Sequence, residues 1–237
     1  LTINTGEFVL LTGESGCGKT TITRLVNGLV PHYYEGNLEG DVLLDGKSVS
    51  DTPLYDLAAM VGSVFQNPKS QFFNVDTDSE LAFACENLGY PQEDILKRID
   101  RTVSDYHIED LMGRSVFALS GGEKQKIACA SSSVLLPGIM VLDEPSSNLD
   151  MAAIDDLRQV LSLWKKQGKT ILIAEHRLYY LHDLADRVLY VKDGEIEREY
   201  TPAEFDSLSD GTRKEMGLRP FSLSKLKPAN QYQAHTA

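Results

Sequence analysis

Cysteine and long apolar runs are both scarce in this 237-residue sequence. Its three cysteines, Cys17, Cys85 and Cys129, form neither a metal-ligand spacing nor a disulfide framework, which favours a reducing cytosol. No segment approaches the roughly 20 consecutive apolar residues of a membrane-spanning helix, and no signal-peptide pattern is present. We therefore expect any membrane role to be peripheral and to depend on a partner.

Basic residues are also in the minority. Lys and Arg number 23 against 35 Asp and Glu, which gives a formal charge of −12. Binding of a nucleic-acid backbone needs clustered Lys and Arg, so the composition excludes a broad surface of that kind and predicts no nucleic-acid partner. Hydrophobic residues at 42% and charged residues at 24% are ordinary for one globular core with a subdomain.

Short apolar segments alternate with helical patterns along much of the chain. Strands are expected at residues 8–11, 39–44, 61–65, 139–142, 170–174 and 187–191. The strand expected at 39–44 precedes a hairpin-type turn at Asp45-Gly46. A capping box is expected from Thr77 to Glu80, before the next helical pattern. This alternation predicts an α/β fold whose mainly parallel sheet is covered by helices on both faces.

The patterns also predict a division of the chain. Residues 1–66 and 137–200 form the core, and residues 67–136 are an inserted helical subdomain. From residue 201 to 237 the sequence is polar and weakly patterned, and we expect a C-terminal tail or linker.

A glycine-rich loop follows the first expected strand and precedes a helical pattern. The segment from Gly13 to Thr20 matches G-x-x-x-x-G-K-[ST], in which backbone N–H groups and the helix N-terminus face phosphates. Lys19 places a charge at the β- and γ-phosphates, and the Thr20 hydroxyl suits Mg²⁺. The predicted phosphate-binding residues are Gly13, Glu14, Ser15, Gly16, Cys17, Gly18, Lys19, Thr20 and Thr21.

Polar side chains follow three other apolar strands. Asp143 ends the 139–142 run and is expected to hold Mg²⁺, with the adjacent Glu144 as general base for an attacking water. Gln66 follows the 61–65 strand, and its amide is expected to reach both Mg²⁺ and the water. His176 lies at the carboxyl edge of the sheet, where we expect a γ-phosphate contact. An acidic turn, a loop amide and a structural histidine are the plainer alternatives.

Ser120-Gly121-Gly122 opens a further helix and offers a hydroxyl, unhindered amides and a helix dipole. One chain needs one such surface per nucleotide. We therefore expect this second phosphate-binding surface to serve the ATP of a partner, so that two chains enclose two nucleotides.

Over about residues 1–200 these three motifs together resemble the ATP-binding-cassette ATPases. The resemblance implies a P-loop NTPase fold with an inserted helical subdomain, ATP and Mg²⁺ as cofactors, and ATP hydrolysis. It also implies a head-to-tail pair of cassettes, homodimeric or heterodimeric, with Asp150 near the interface.

A narrower likeness is to the ATPase subunits of energy-coupling-factor and cobalt-type importers. It rests on residues 27–32, 64–68 with Gln71-Phe72, 174–177 and 217–220. Such ATPases act peripherally at the cytoplasmic face of the cell membrane and drive a transmembrane coupling subunit. The alternative is a soluble cassette ATPase that acts in DNA repair, on chromosomes or on ribosomes. A third possibility is a regulator that binds ATP without hydrolysing it.

Two features depart from the family pattern. The family usually begins 20–25 residues earlier with an aromatic residue that stacks on adenine, so that contact is either missing here or supplied elsewhere, with Tyr33 and Tyr34 as the candidate substitutes. Glu123 and Lys126 stand where many members have Gln and Arg, and we expect this change to leave the site competent.

Overall fold

A mainly parallel six-stranded sheet organises the computed structural model, which describes residues 1–219. The six strands of this sheet are β1 (Phe8–Thr12), β4 (Val61–Val64), β5 (Ile139–Asp143), β6 (Thr170–Ala174), β7 (Arg187–Lys192) and β8 (Glu195–Tyr200). Two further strands, β2 (Leu43–Leu44) and β3 (Lys47–Ser48), form a separate two-stranded sheet. The sheet order is β4-β5-β6-β1-β7-β8. The first five strands in this order are parallel to one another, and β8 is antiparallel to β7. The carboxyl ends of β1, β4, β5 and β6 therefore lie at one edge.

Helices connect these strands. They are α1 (Lys19–Val26), α2 (Leu29–His32), α3 (Leu54–Met60), α4 (Thr77–Asn87), α5 (Gln92–Tyr106), α6 (Gly121–Ser133), α7 (Met151–Lys166), α8 (Pro202–Ser207) and α9 (Asp210–Glu215). The predicted α/β class, with helices covering a mainly parallel sheet, is confirmed.

Both faces of the sheet are buried, as β1 illustrates. Phe8 belongs to the same apolar cluster as Trp164 of α7, while its neighbour Val9 belongs to the cluster that contains Leu57 of α3. All residues from Phe8 to Leu11 are fully buried. Because full burial of one such side chain contributes about 1.5–3 kcal/mol, β1 is a rigid base for the loop that follows it.

Helices α4, α5 and α6 occupy the chain between β4 and β5, where the helical insertion was expected. Helix α6 nevertheless packs back onto the sheet, since a Cβ added at Gly62 of β4 would lie 2.6 Å from the carbonyl oxygen of Ser132. Ile127 and Ala130 of α6 also join the apolar cluster around Trp164. The division into a core and a helical subdomain stays a prediction.

Two local expectations differ from the structure. The strand expected at 39–44 is reduced to β2, although the turn at Asp45-Gly46 does join it to β3. The cap of α4 is Asp76, whose Oδ1 accepts a hydrogen bond from the Ser79 N–H at 2.8 Å. Glu80 instead accepts from the N–H groups of Phe73 and Asn74, so it organises the preceding loop.

The chain after β7 contains elements that were not expected: a further strand, and then helices from residue 202 in place of a tail or linker. Residues Asp193 and Gly194 both have positive φ, and this tight turn leads into β8, which the patterns did not predict. Helix α8 begins with a capping box between Thr201 and Glu204, and Phe205 is fully buried in the core. Helices α8 and α9 have six residues each and are too short to display apolar periodicity. Residues 220–237, including the last residue of the 217–220 likeness, lie outside the described residues.

Candidate nucleotide site

The glycine loop links the end of β1 to the start of α1. Gly13 has φ 150°, and a Cβ there would lie 2.1 Å from the carbonyl oxygen of Val191, so only glycine fits. Gly18 has φ 108° and is the N-cap residue of α1. Glu14, Ser15 and Gly16 are exposed along the loop, Cys17 is buried beneath it, and Thr21 is exposed on α1. A glycine loop that leads into a helix N-terminus in this way is suited to bind an anion through backbone N–H groups.

Lys19 is held inside this loop. Its side chain is only 4% exposed, and Nζ donates to the carbonyl oxygens of Gly13 at 3.1 Å and Glu14 at 2.8 Å. Nζ also lies 3.6 Å from Sγ of Cys17. A buried ammonium group at this position favours an anion at the loop, as predicted for the β- and γ-phosphates.

Two of the three predicted magnesium ligands, Thr20 and Asp143, meet at the start of α1, and the third, Gln66, lines the same cavity. The Thr20 hydroxyl donates to Oδ1 of Asp143 at 3.1 Å. Burial raises the pKa of Asp143, and the Thr20 hydrogen bond opposes that rise. Within residues 1–219 no cluster of three or more His, Cys, Asp or Glu could form a metal cage. Mg²⁺ is commonly held by one or two carboxylates together with substrate phosphates, so a hydroxyl beside one carboxylate fits it.

The three residues predicted to act in catalysis are in direct contact. Oε2 of Glu144 accepts a hydrogen bond from Nε2 of Gln66 at 3.0 Å, and Oε1 lies 3.1 Å from Nε2 of His176. These residues follow β4, β5 and β6, whose carboxyl ends are adjacent in the sheet. Glu144 has φ 45°, an unusual conformation for a non-glycine residue, and its N–H donates to the Ala174 carbonyl oxygen. One carboxylate is thereby oriented from both sides.

His176 is expected to be neutral near pH 7. Burial, followed by the nearby Lys19 ammonium, lowers the pKa of His176, while the Glu144 carboxylate opposes this shift. With Nε2 facing the carboxylate, the neutral ring donates its Nε2–H to Glu144. The ring therefore orients Glu144 without neutralising its charge.

Ser120 is the N-cap of α6, as its position in the sequence predicts. Its hydroxyl accepts from the Glu123 N–H at 3.3 Å, and its N–H donates to the Glu123 carboxylate at 2.7 Å. Glu123, which replaces the usual Gln of the family pattern, thus completes a capping box and also pairs with Arg114 at 3.0 Å. Ser120 and Gly121 are exposed. In the described part of the chain no hydrogen bond joins them to the glycine loop.

Gly122 has a packing role besides the predicted one, because a Cβ there would lie 2.7 Å from Cβ of Ala153. Asp150 is exposed and caps α7 by accepting from the Ala153 N–H at 2.9 Å. The start of α6 and the start of α7 are therefore close to each other.

The two candidate aromatic residues directly follow α2. Tyr33 and Tyr34 contact each other edge to face, and the Arg24 guanidinium lies 4.2 Å from the Tyr34 ring centre. Both rings line a cavity of about 700 Å³ that also contains Thr20 and Asp143. They therefore lie near the predicted magnesium ligands, and their contact with adenine stays a prediction.

The sequence did not predict a buried polar cluster next to His176, formed by Glu175, Ser146 and Arg177. Glu175 is 2% exposed, and its Oε1 accepts hydrogen bonds from the Ser146 hydroxyl and from the Arg177 N–H. Arg177 in turn donates from Nη1 to the Leu149 carbonyl oxygen at 2.8 Å. An ionisable residue between an apolar strand and a candidate histidine was the available signal.

Known proteins resemble this chain in sequence and in fold. The family model described as ABC transporter matches residues 1–147. An ABC transporter ATP-binding protein of Treponema denticola is 48% identical over 227 residues, which cover 96% of this chain and 46% of that protein. A relative of the same description from Methanosarcina mazei is 39% identical, and the alignment covers 100% of this chain and 40% of the relative. The chain thus spans less than half the length of these curated relatives.

Solved structures agree with this assignment. The protein cbiO1 of Clostridium perfringens, described as part of the ABC transporter complex cbiONQ, has a TM-score of 0.78 at 28% identity, covering 90% of this chain and 84% of that one. The ATP-binding cassette MJ0796, a dimer bound to ADP and Pi, has a TM-score of 0.72 at 26% identity, covering 85% of this chain and 88% of that one. Together with the site geometry, these similarities lead to one conclusion. The chain belongs to the ABC transporter family of ATP-binding proteins.

Proposed function

We propose that this chain binds ATP with Mg²⁺ and hydrolyses it. The observation that carries the proposal is the Glu144 carboxylate, held between Gln66 and His176 beside Lys19 and the Thr20–Asp143 pair. A carboxylate fixed by two partners next to a phosphate loop is arranged to accept a proton from water.

The proposed reaction follows from these positions. The glycine-loop N–H groups and Lys19 bind the β- and γ-phosphates. Glu144 accepts a proton as the water oxygen bonds to the γ-phosphorus, and the bond from that phosphorus to the bridging oxygen breaks, releasing ADP and phosphate. Gln66 orients the water, and His176 contacts the γ-phosphate oxygens. Thr20, Asp143 and Gln66, which line one cavity, would hold Mg²⁺, and the bound ion would supply neutralisation of phosphate charge.

We also propose that ATP is enclosed between two cassettes. Ser120 and Gly121 form an exposed helix N-terminus, which is suited to the phosphates of a nucleotide on another chain. The dimeric MJ0796 cassette supports this arrangement. ATP that contacts both cassettes favours the closed pair over the open one, which is what a conformational motor requires.

Lys19→Ala tests both proposals. Removal of the buried ammonium is expected to abolish ATP binding measured by calorimetry, together with any ATP-dependent doubling of mass in light scattering. The matched control is Lys166→Ala, which removes an exposed lysine at the end of α7 and should bind ATP like the wild type. Ordinary ATP affinity in Lys19→Ala would disprove the phosphate-loop assignment.

An apolar groove supports the proposal of a membrane partner. The cavity has a volume of about 390 Å³ and lies between α3 and α4. Phe73 is 75% exposed and stacks on Phe83 with ring centres 4.7 Å apart, while Tyr55 is 63% exposed on the opposite wall. Such a patch is typical of a protein-interaction site. We propose that a short helix of a transmembrane coupling subunit docks here.

The groove is connected to the candidate site. Phe65 lines it and directly precedes Gln66, and the Phe65 N–H donates to Oε1 of Gln71 at 3.1 Å. Gln71 also donates to the Ala128 carbonyl oxygen and the Ser132 hydroxyl of α6. A partner seated in the groove would therefore press on the segment that carries Gln66.

We propose further that the transporter is an importer of the energy-coupling-factor type, with this chain at the cytoplasmic face of the membrane. The similarity to cbiO1, itself part of a cbiONQ complex, supports this proposal. In residues 1–219 no helix is both long and apolar enough to cross a membrane. The soluble-cassette alternative is not favoured, since the named relatives are ABC transporter proteins.

A further inference from the structure

Two residues that flank His176 bind one short segment of the chain. The segment comprises residues 146–149 and follows Glu144 and Pro145. Glu175 contacts its first residue through the Ser146 hydroxyl, and Arg177 contacts its last through the Leu149 carbonyl oxygen at 2.8 Å. We call these paired contacts the clasp.

The clasp is internally connected. Oε1 of Glu175 also accepts from the Arg177 N–H at 3.2 Å, so this one oxygen joins the Ser146 hydroxyl to the backbone of Arg177. Ser146 is fully buried and Leu149 is 7% exposed, whereas Asn148 between them is exposed. The clasp therefore fixes both ends of a turn whose tip faces outward.

The 146–149 segment is itself a compact turn. The Ser147 N–H donates to the Glu144 carbonyl oxygen and the Leu149 N–H donates to the Ser146 carbonyl oxygen, both at 3.1 Å. It leads directly to Asp150, the N-cap of α7. Two side-chain hydrogen bonds thus join the residues on either side of His176 to the turn that leads to Asp150.

A buried acid is a costly way to build a turn. Oε2 of Glu175 is buried and has no hydrogen-bond partner among the described residues, and an unsatisfied buried acceptor destabilises the folded state. A purely structural turn would be served as well by a neutral side chain. An unsatisfied buried group in a native structure calls for an explanation, and a functional role is one such explanation.

We propose that Glu175 and Arg177 are positioning residues that make His176 and the 146–149 segment move as one unit. Resting on the proposed function, this clasp couples the phosphate contact of His176 to Asp150, which faces the partner cassette. The two candidate catalytic groups also come under common control, because Glu144 directly precedes Pro145 and the 146–149 segment, and His176 lies between Glu175 and Arg177.

Removal of either half of the clasp tests the proposal. Arg177→Ala and Glu175→Ala are expected to lower kcat for ATP about tenfold to a hundredfold, because small displacements at a reacting centre have effects of this order. The KM for ATP should stay within about twofold, since neither residue contacts the glycine loop. Arg177→Lys and Glu175→Gln keep a donor and an acceptor, and should restore most of the rate.

Arg98→Ala is the matched control. Its Nη1 donates to the Val134 carbonyl oxygen at 3.2 Å, far along the chain from the clasp. This variant loses the same type of contact as Arg177→Ala and should keep the wild-type kcat. An unchanged kcat in Arg177→Ala, or no rescue by lysine and glutamine, would overturn the proposal.

Hydrogen exchange of residues 146–150 provides a readout that needs no turnover. Mg-ATP is expected to protect these amides in the wild type and to protect them much less in Arg177→Ala and Glu175→Ala. Equal protection in the variants, or none in the wild type, would overturn the clasp. Glu144→Gln separates the two proposals: normal turnover in that variant would disprove the general base, while the exchange result still decides the clasp.

Discussion

At the residue scale, the candidate site shows which side chains a sequence can place. Gln66, Asp143, Glu144 and His176 were predictable because each follows an apolar strand, and parallel strands end at one edge of a sheet. Glu175 was not, because its burial depends on Ser146, which lies 29 residues away along the chain. Nothing in the local pattern announces that pairing.

Glu175 should make stability depend on pH. Burial raises the pKa of Glu175 to about 7 from its ordinary 4.5. The folded state therefore binds this proton more tightly than the unfolded state does. The resulting stabilisation is present below about pH 4.5 and is lost as the pH rises through about 7.

We accordingly expect Glu175→Gln to be more stable than the wild type at pH 8, by up to about 3 kcal/mol, and nearly equal to it at pH 4.5. The reason is that glutamine resembles the neutral acid and cannot ionise. Urea unfolding at the two pH values measures the difference. Glu93→Gln, an exposed change on α5, should shift neither value. A pH-independent effect of Glu175→Gln would contradict the account.

At the scale of elements, apolar periodicity located the strands of the sheet but not the short or polar elements. Strand β8 has exposed, charged side chains, so its only signal was the Asp193-Gly194 turn. Helices α8 and α9 have six residues each, too few for a visible apolar face. Phe205 of α8 is nevertheless buried, and so is Leu218, which follows α9. Their positions are set by tertiary contacts.

The groove between α3 and α4 makes an element-scale prediction. Phe73→Asp places a charge at the exposed apolar wall and should abolish copurification of the transmembrane partner from a detergent extract of membranes. ATP binding should be unchanged, because Phe73 contacts Phe83 and not the glycine loop. Leu96→Asp changes a residue that is 53% exposed on α5, and is the control that should retain the partner. Equal recovery with both variants would exclude the groove as the docking site.

At the scale of the whole molecule, the class of fold and the family followed from the sequence because their signals are local. A glycine loop, an acidic strand end and a Ser-Gly-Gly helix start each need only a few neighbouring residues. Three relations were beyond reach, because each joins distant parts of the chain: α6 packing on β4, the close approach of α6 and α7 at Gly122, and the clasp. The chain also spans less than half the length of the Treponema denticola and Methanosarcina mazei relatives.

The central claim is that Glu144 accepts the proton of the attacking water. Its most direct test is the single-turnover rate of ATP hydrolysis by Glu144→Gln, measured with ATP already bound. Glutamine has the same shape and keeps one of the two acceptor oxygens that face Gln66 and His176, but it cannot serve as the base, so the rate should fall by about 10²–10⁴ while ATP affinity is retained. A rate close to that of the wild type, with ATP bound equally well, would contradict the account.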